Sequence, residues 1–169
     1  MKKALIALAV LGLTGGAAVA QSSVTLFGVL DANMRYTKSS GQTLKKLDSS
    51  GLSTSRLGVR GVEDLGGGLK AGVWLESEVF VDTGSADTNR FWGRRATVSL
   101  TGAFGEVRLG RNLTASRLHI QDFDPFSFTG LGSVGSIHSN LGSGNSTAYG
   151  RADNLLSYSL PSEGLGGFY

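Results

Sequence analysis

The chain has 169 residues, with 26 glycines, two prolines, no cysteine and a formal charge of +3. Abundant glycine without a three-residue period excludes a collagen-like rod, and the lack of cysteine excludes disulfides, thiolate zinc sites and cysteine nucleophiles. Two of the positive charges, Lys2 and Lys3, belong to a leader segment, so the remainder carries only +1. With no basic block interleaved with aromatics, no nucleic-acid partner is expected.

Residues 1–20 read as an export signal. Lys2 and Lys3 form the basic region, ALIALAVLGL the apolar region, and Ala18-Val19-Ala20 a small-residue cleavage site. The apolar run is short for a membrane-spanning helix.

Residues 21–169 alternate with period two. The first predicted strand sets Val24, Leu26, Leu30, Ala32, Met34 and Tyr36 on one face, and Thr25, Phe27, Val29, Asp31, Asn33 and Arg35 on the other. A long polar connection, residues 37–54, follows. The second strand, SRLGVRGV, opposes Leu57 and Val59 to Arg56, Gly58 and Arg60. A tight EDLGGG turn leads to the third, where Leu69, Ala71, Val73, Leu75, Val79 and Val81 share one face. Lys70, Trp74, Glu76, Glu78, Phe80 and Asp82 share the other. Its fourteen residues exceed the usual soluble strand of about 5–6.

After TGSADTN, the fourth strand opposes Ala96, Val98 and Leu100 to Arg95, Thr97 and Ser99. The tight TGAFG turn leads to a fifth, with Val107 and Leu109 against Glu106 and Arg108. A very long connection, about 112–150, precedes the sixth, which sets Leu156, Tyr158 and Leu160 against Arg151, Asp153, Ser157 and Ser159. Phe168 and Tyr169 open a seventh. No amphipathic helix is expected outside the leader. Short turns alternating with long loops suit antiparallel neighbours in an all-β, transmembrane antiparallel β-barrel. Alternation alone does not say which face points inward; a soluble barrel inverts it. The export signal, the strand lengths and the aromatics at strand ends (Tyr36, Phe80, Phe91, Trp92 and Tyr158) favour the membrane version.

The stretches QSSVTLFGVLDA, SRLGVRGVEDLGGGLKAGVWLE and RRATVSLTGAFGEVRLGR resemble the general porins of Gram-negative bacteria, especially the β-proteobacterial type. The resemblance runs from Gln21 to the end and is strongest between Ser53 and Arg111. It implies a sixteen-stranded outer-membrane barrel, usually a homotrimer, whose water-filled channel is narrowed by an inward-folding third loop. It implies no reaction and no cofactor, and as partners outer-membrane lipid, small hydrophilic solutes and inorganic or organic anions. Six strands and the start of a seventh do not close a barrel, so residues 21–169 are expected to be the N-terminal part of one.

The resemblance also implies a ladder of constriction arginines facing acids on the loop. Local context places the ladder at Arg56, Arg95 and Arg151, all on the non-lipid face by alternation, with Arg60 one repeat further along its strand. Guanidinium suits this role because it stays charged and presents a planar donor fork. The loop's FDPF departs from the family motif, since no acid follows Pro125. Asp122 and Asp124 are the remaining loop acids, each readable instead as a cap or Asx-turn before proline. Asp31, Glu76 and Glu78 are expected as lumen acids away from the narrowest level. The surplus of arginine predicts anion preference.

Other signals carry less. GLGSVG (130–135) fits a dinucleotide fingerprint literally but lacks a βαβ context. His119 and His138 have no metal-ligand spacing, and Glu76 with Glu78 lacks the opposing wall a glycosidase pair needs. Arg111 reads either as a girdle residue snorkelling to the interface or as a subunit contact. Two other functions compete with a diffusion channel: a barrel enzyme, for which neither histidine has a motif, and a small structural or adhesive barrel without channel activity.

Overall fold

A computed structural model describes residues 23–129, 132–135 and 150–161. The leader, His138 and the pair Phe168–Tyr169 lie outside the described residues, as does part of the GLGSVG stretch.

Six strands form one antiparallel sheet in the order β1 (Ser23–Val29), β4 (Arg56–Gly66), β5 (Leu69–Phe80), β7 (Arg95–Gly102), β8 (Gly105–Leu113) and β9 (Arg151–Ser159). A two-residue β6 (Ser85–Ala86) pairs with the end of β5. Strands β2 (Ala32–Ser39) and β3 (Gln42–Ser49) make a separate hairpin. At 11 and 12 residues, β4 and β5 are long enough to cross a bilayer.

Three predicted features change. The first predicted strand is two strands, broken at Leu30 and Asp31, and the polar connection 37–54 contains β3. Both sides of the break alternate, so the pattern runs through it unmarked. The structure also holds a helix, α1 (Ala115–Asp122), in the long connection where none was expected. Thr114 caps it by accepting the Arg117 N–H at 3.2 Å.

The short connections, β4–β5 and β7–β8, lie at one end of the sheet, and the long ones at the other. The tight β4–β5 turn depends on glycine. Gly66, Gly67 and Gly68 have φ of +84°, +61° and +81°, a conformation that side-chain-bearing residues resist.

Register turns the alternation into two chemically distinct faces. One row of partners runs Val24, Gly61, Val73, Val98, Leu109 and Leu156 across all six strands. The equivalent row on the opposite face runs Thr25, Arg60, Trp74, Thr97, Gly110 and Leu155. Among the described residues no second layer covers the apolar face: Val24 is 77% and Leu156 70% exposed. Among the described residues no hydrophobic side chain is buried; the buried polar ones are Ser55, Ser77, Thr97, Asn112, Asp124 and Ser133. A soluble protein buries its apolar atoms. An apolar face with no protein cover and a polar interior are what a strand wall in lipid requires. Near the tight-turn end of this wall Tyr158 donates its hydroxyl to the Phe104 carbonyl.

Candidate functional site

The side chains of the polar face gather at two levels, one at the long-loop end and one around Trp74.

At the long-loop end is a recess of about 390 Å³. Arg56 and Arg151 enter it from the first residues of β4 and β9, and Arg94 from the bend before β7. Arg117 enters from α1. Glu76 sits among them. Its Oε1 lies 2.6 Å from Arg94 Nε and 3.7 Å from Arg56 Nε, and its Oε2 accepts the Trp74 indole N–H at 3.4 Å. Glu78 is 3.9 Å from Arg94. Backbone carbonyls hold the guanidiniums in place. Arg56 donates to Thr54 O at 2.9 Å, and Arg151 donates to Arg94 O at 2.9 Å. Facing them across the recess are Gln121 of α1 and Ser127, Phe128 and Thr129 of the loop beyond it. The Arg117 guanidinium lies over the Phe128 ring, 3.0 Å from its centre.

Asp124 shapes that loop. Its carboxylate accepts the backbone N–H groups of Phe126, Phe128 and Val134, each at 3.0 Å. Ser127 and Phe128 have φ of +48° and +58°, unfavourable for side-chain-bearing residues and sustained only where surrounding bonds impose it. Burial works against the Asp124 charge, but the three N–H donors and Arg117 outweigh it and hold the carboxyl below its usual range. Asp122, at the end of α1, is exposed.

Asp31 is also occupied with backbone. It accepts N–H bonds from Ser53 and Leu52 at 2.7 Å and from Gly51 at 3.2 Å, and these donors keep its carboxyl low. With Ser55, whose hydroxyl donates to the Asp31 carbonyl at 3.0 Å, it ties the β2–β3 hairpin to the wall.

The second level is nearer the tight turns. Trp74 meets Phe27 edge-on at 5.2 Å, Arg95 lies 4.2 Å from the indole centre, and Arg60 lies 5.5 Å from the indole and 5.7 Å from Phe27. Gly58 makes this possible, since a Cβ there would stand 2.3 Å from the Phe27 ring.

The four arginines expected together are therefore split. Arg56 and Arg151 share the recess, whereas Arg60 and Arg95 line a groove around Trp74. Glu76, expected away from the arginines of the recess, lies against Arg94 and Arg56, with Glu78 beside it. Asp31 and Asp124 bind backbone, as the cap reading of loop acids would have it for Asp124.

The chain's likeness to known proteins agrees with this wall. The Gram-negative porin profile matches residues 7–169. The chain belongs to the Gram-negative porin family. It is 53% identical to outer membrane porin protein 32 of Delftia acidovorans over 99% of this chain and 48% of that protein. It is 36% identical to an outer membrane porin protein of Bordetella pertussis over 96% of this chain and 45% of that protein. Its structure superposes on an anion-selective porin from Comamonas acidovorans with a TM-score of 0.72 and 50% identity, covering 83% of this chain and 43% of the other. The chain thus spans about half the length of the relatives it matches. The sheet is part of a porin β-barrel, and the porin is an outer-membrane protein whose apolar face meets lipid.

Two arginines of the recess escaped sequence reasoning. Arg94 has the wrong parity for the polar face, but it precedes β7 in a bend and so does not obey the strand's alternation. The doublet Arg94-Arg95 after Gly93 was the available signal. Arg117 was hidden because its helix was not expected, although Thr114 as cap and Pro125 beyond the end are ordinary helix boundaries. Parity also misplaced Asp153. Between Ala152 and Leu155 the pairing with β8 gains a residue, with Asn154 at φ +54°. Asp153 instead accepts from Arg111 at 2.8 Å and Arg90 at 2.6 Å, and Arg111 also donates to Gly93 O at 2.6 Å. The Arg111 guanidinium is thereby engaged within the chain.

Proposed function

We propose that this porin forms a water-filled outer-membrane channel for passive diffusion of small hydrophilic solutes, preferring anions, and that it works as a homotrimer. The observation that carries the reading is the recess, where Arg56, Arg94, Arg117 and Arg151 converge, with Glu76 and Glu78 beside Arg94 and Asp124 acting on Arg117. The anion selectivity named for the similar Comamonas porin points the same way. The family is one of channel proteins, and no catalytic step is proposed.

The mechanism is electrostatic. Fixed guanidiniums on a wall backed by lipid focus their field into the water beside them. An anion exchanges part of its hydration for N–H donors that the Thr54 and Arg94 carbonyls have already oriented. Attraction shared among several guanidiniums is weak at each one, so the solute can leave as well as enter. Small dicarboxylates and phosphate suit the bidentate fork. Asp122 and Asp124 are the loop acids of this proposal, with Asp124 committed to holding the loop in shape.

Reversal potentials across a KCl gradient test the reading, using protein extracted from outer membranes and the double variant Arg56→Ala with Arg151→Ala. The expected result is an anion preference that weakens in the variant and fades as salt rises. A wild-type cation preference, or an anion preference untouched by the double substitution, refutes it. Cross-linking in native membranes tests the trimer.

A further inference from the structure

The groove around Trp74 is separate from the arginine recess and has its own chemistry. It measures about 520 Å³, and its charged lining is Arg60, Lys70, Arg95, Arg108 and Glu106. Glu106 is matched to Arg108 at 2.6 Å. Neither Arg60 nor Arg95 has a carboxylate within ion-pair distance among the described residues. Arg60 contacts Phe27 and Trp74, and Arg95 contacts Trp74 and donates to Thr97 Oγ1 at 3.1 Å. Both guanidiniums stand outside ion-pair distance of an acid, with Glu106 and Glu76 acting on Arg95 only from further away, and both are held against the same indole.

A guanidinium stacked on an aromatic ring uses its face, leaving in-plane N–H donors on its edge. Those donors match a carboxylate bidentately. The indole is itself fixed, by the Phe27 edge contact and by its N–H bond to Glu76. Gly58 leaves room for the Phe27 ring, so the stack is built into the backbone. A ligand that is an anion at one end and a flat ring at the other meets both halves of the site, whereas an inorganic or aliphatic anion meets one.

We propose that the Arg60–Trp74–Arg95 cluster is a second binding level on the channel wall, selective for aromatic carboxylates. The inference rests on the channel reading above and assigns it a solute class and a place. The carboxylate takes the edge donors of Arg95 and Arg60, and the ring lies against the Trp74–Phe27 surface. Aromatic contact of this kind makes a planar arene carboxylate roughly two- to tenfold tighter than a saturated ring of equal size.

The test is inhibition of chloride current in planar bilayers, using protein extracted from outer membranes. Benzoate and cyclohexanecarboxylate serve as probes of equal charge and similar volume. Inhibition is read relative to each variant's own unblocked current. The expected result is that benzoate blocks at a roughly two- to tenfold lower concentration than cyclohexanecarboxylate in the wild type. The difference collapses in Trp74→Leu and shrinks in Trp74→Phe, which keeps a ring if the leucine variant does not insert. Equal blocking concentrations in the wild type overturn the subsite, as does a benzoate advantage that survives unchanged in both variants. Absence of any chloride current from the wild type overturns the channel reading, and the subsite with it.

Discussion

Glu76→Gln isolates the charge at the centre of the recess while keeping a hydrogen-bonding side chain. Arg56 lies 3.7 Å from the carboxylate. An anion on the far side of that guanidinium, one hydrogen-bond length of about 3 Å beyond, stands about 7 Å from Glu76. At that separation in water the repulsion is about 0.6 kcal/mol, and at 0.15 M salt screening over ~8 Å reduces it to about 0.25 kcal/mol. Removing the charge favours the anion and disfavours the cation by similar amounts, so the chloride-to-potassium permeability ratio should rise about twofold at 0.15 M. At 1 M, where the Debye length is ~3 Å, the rise should shrink to about 1.2-fold. The assay is the reversal potential of extracted protein across KCl gradients centred on the two concentrations. An unchanged ratio at low salt, a shift toward cations, or an equal shift at both salts would refute the placement of Glu76 among the recess arginines. Glu76 is only 12% and Arg94 15% exposed, so the same substitution should cost about 1–3 kcal/mol of barrel stability, read as a lower heat-modification temperature on gels.

Val73→Arg puts a charge in the middle of the apolar row and should cost about 2–4 kcal/mol, seen as loss of folded, heat-modifiable protein in the outer membrane; assembly at wild-type levels would mean the faces are assigned the wrong way round. The depressed Asp124 carboxyl sets a direction for pH. Its contribution to loop stability is complete above the ordinary carboxylate value of about 3.9 and is lost as pH falls through the lower folded value. Backbone hydrogen exchange at 126–128 should therefore be flat, after correction for intrinsic rates, from pH 7 to about 4 and rise below that. Asp124→Asn should show raised exchange at pH 7 and no acid step, and an acid step that persists in the variant would assign it to another group.

The wall itself was legible in the sequence because its causes are local. A strand's side chains alternate wherever it runs, so the faces of β4, β5, β7 and β8 followed from parity. Three glycines in a row marked a tight turn because only glycine takes positive φ freely. Beyond that, the site depended on relations between segments distant in the chain. Parity holds inside a strand but fails at its ends and bulges, which is where Arg94 and Asp153 lie. Register sets Arg60 opposite Trp74, Arg95 opposite Glu76 and Arg56 opposite Glu78; the side chains then lean along the sheet, which brings Arg56 within 3.7 Å of Glu76 and lays Arg95 on Trp74. Whether an aspartate faces solute or holds backbone depends on which N–H groups the fold brings to it. For Asp31 these come from residues 51–53, across an entire hairpin. The sequence alone determined a membrane wall with one charged face. Tertiary structure decided which of those charges act together, because that is a matter of distances between strands that the chain brings together only on folding.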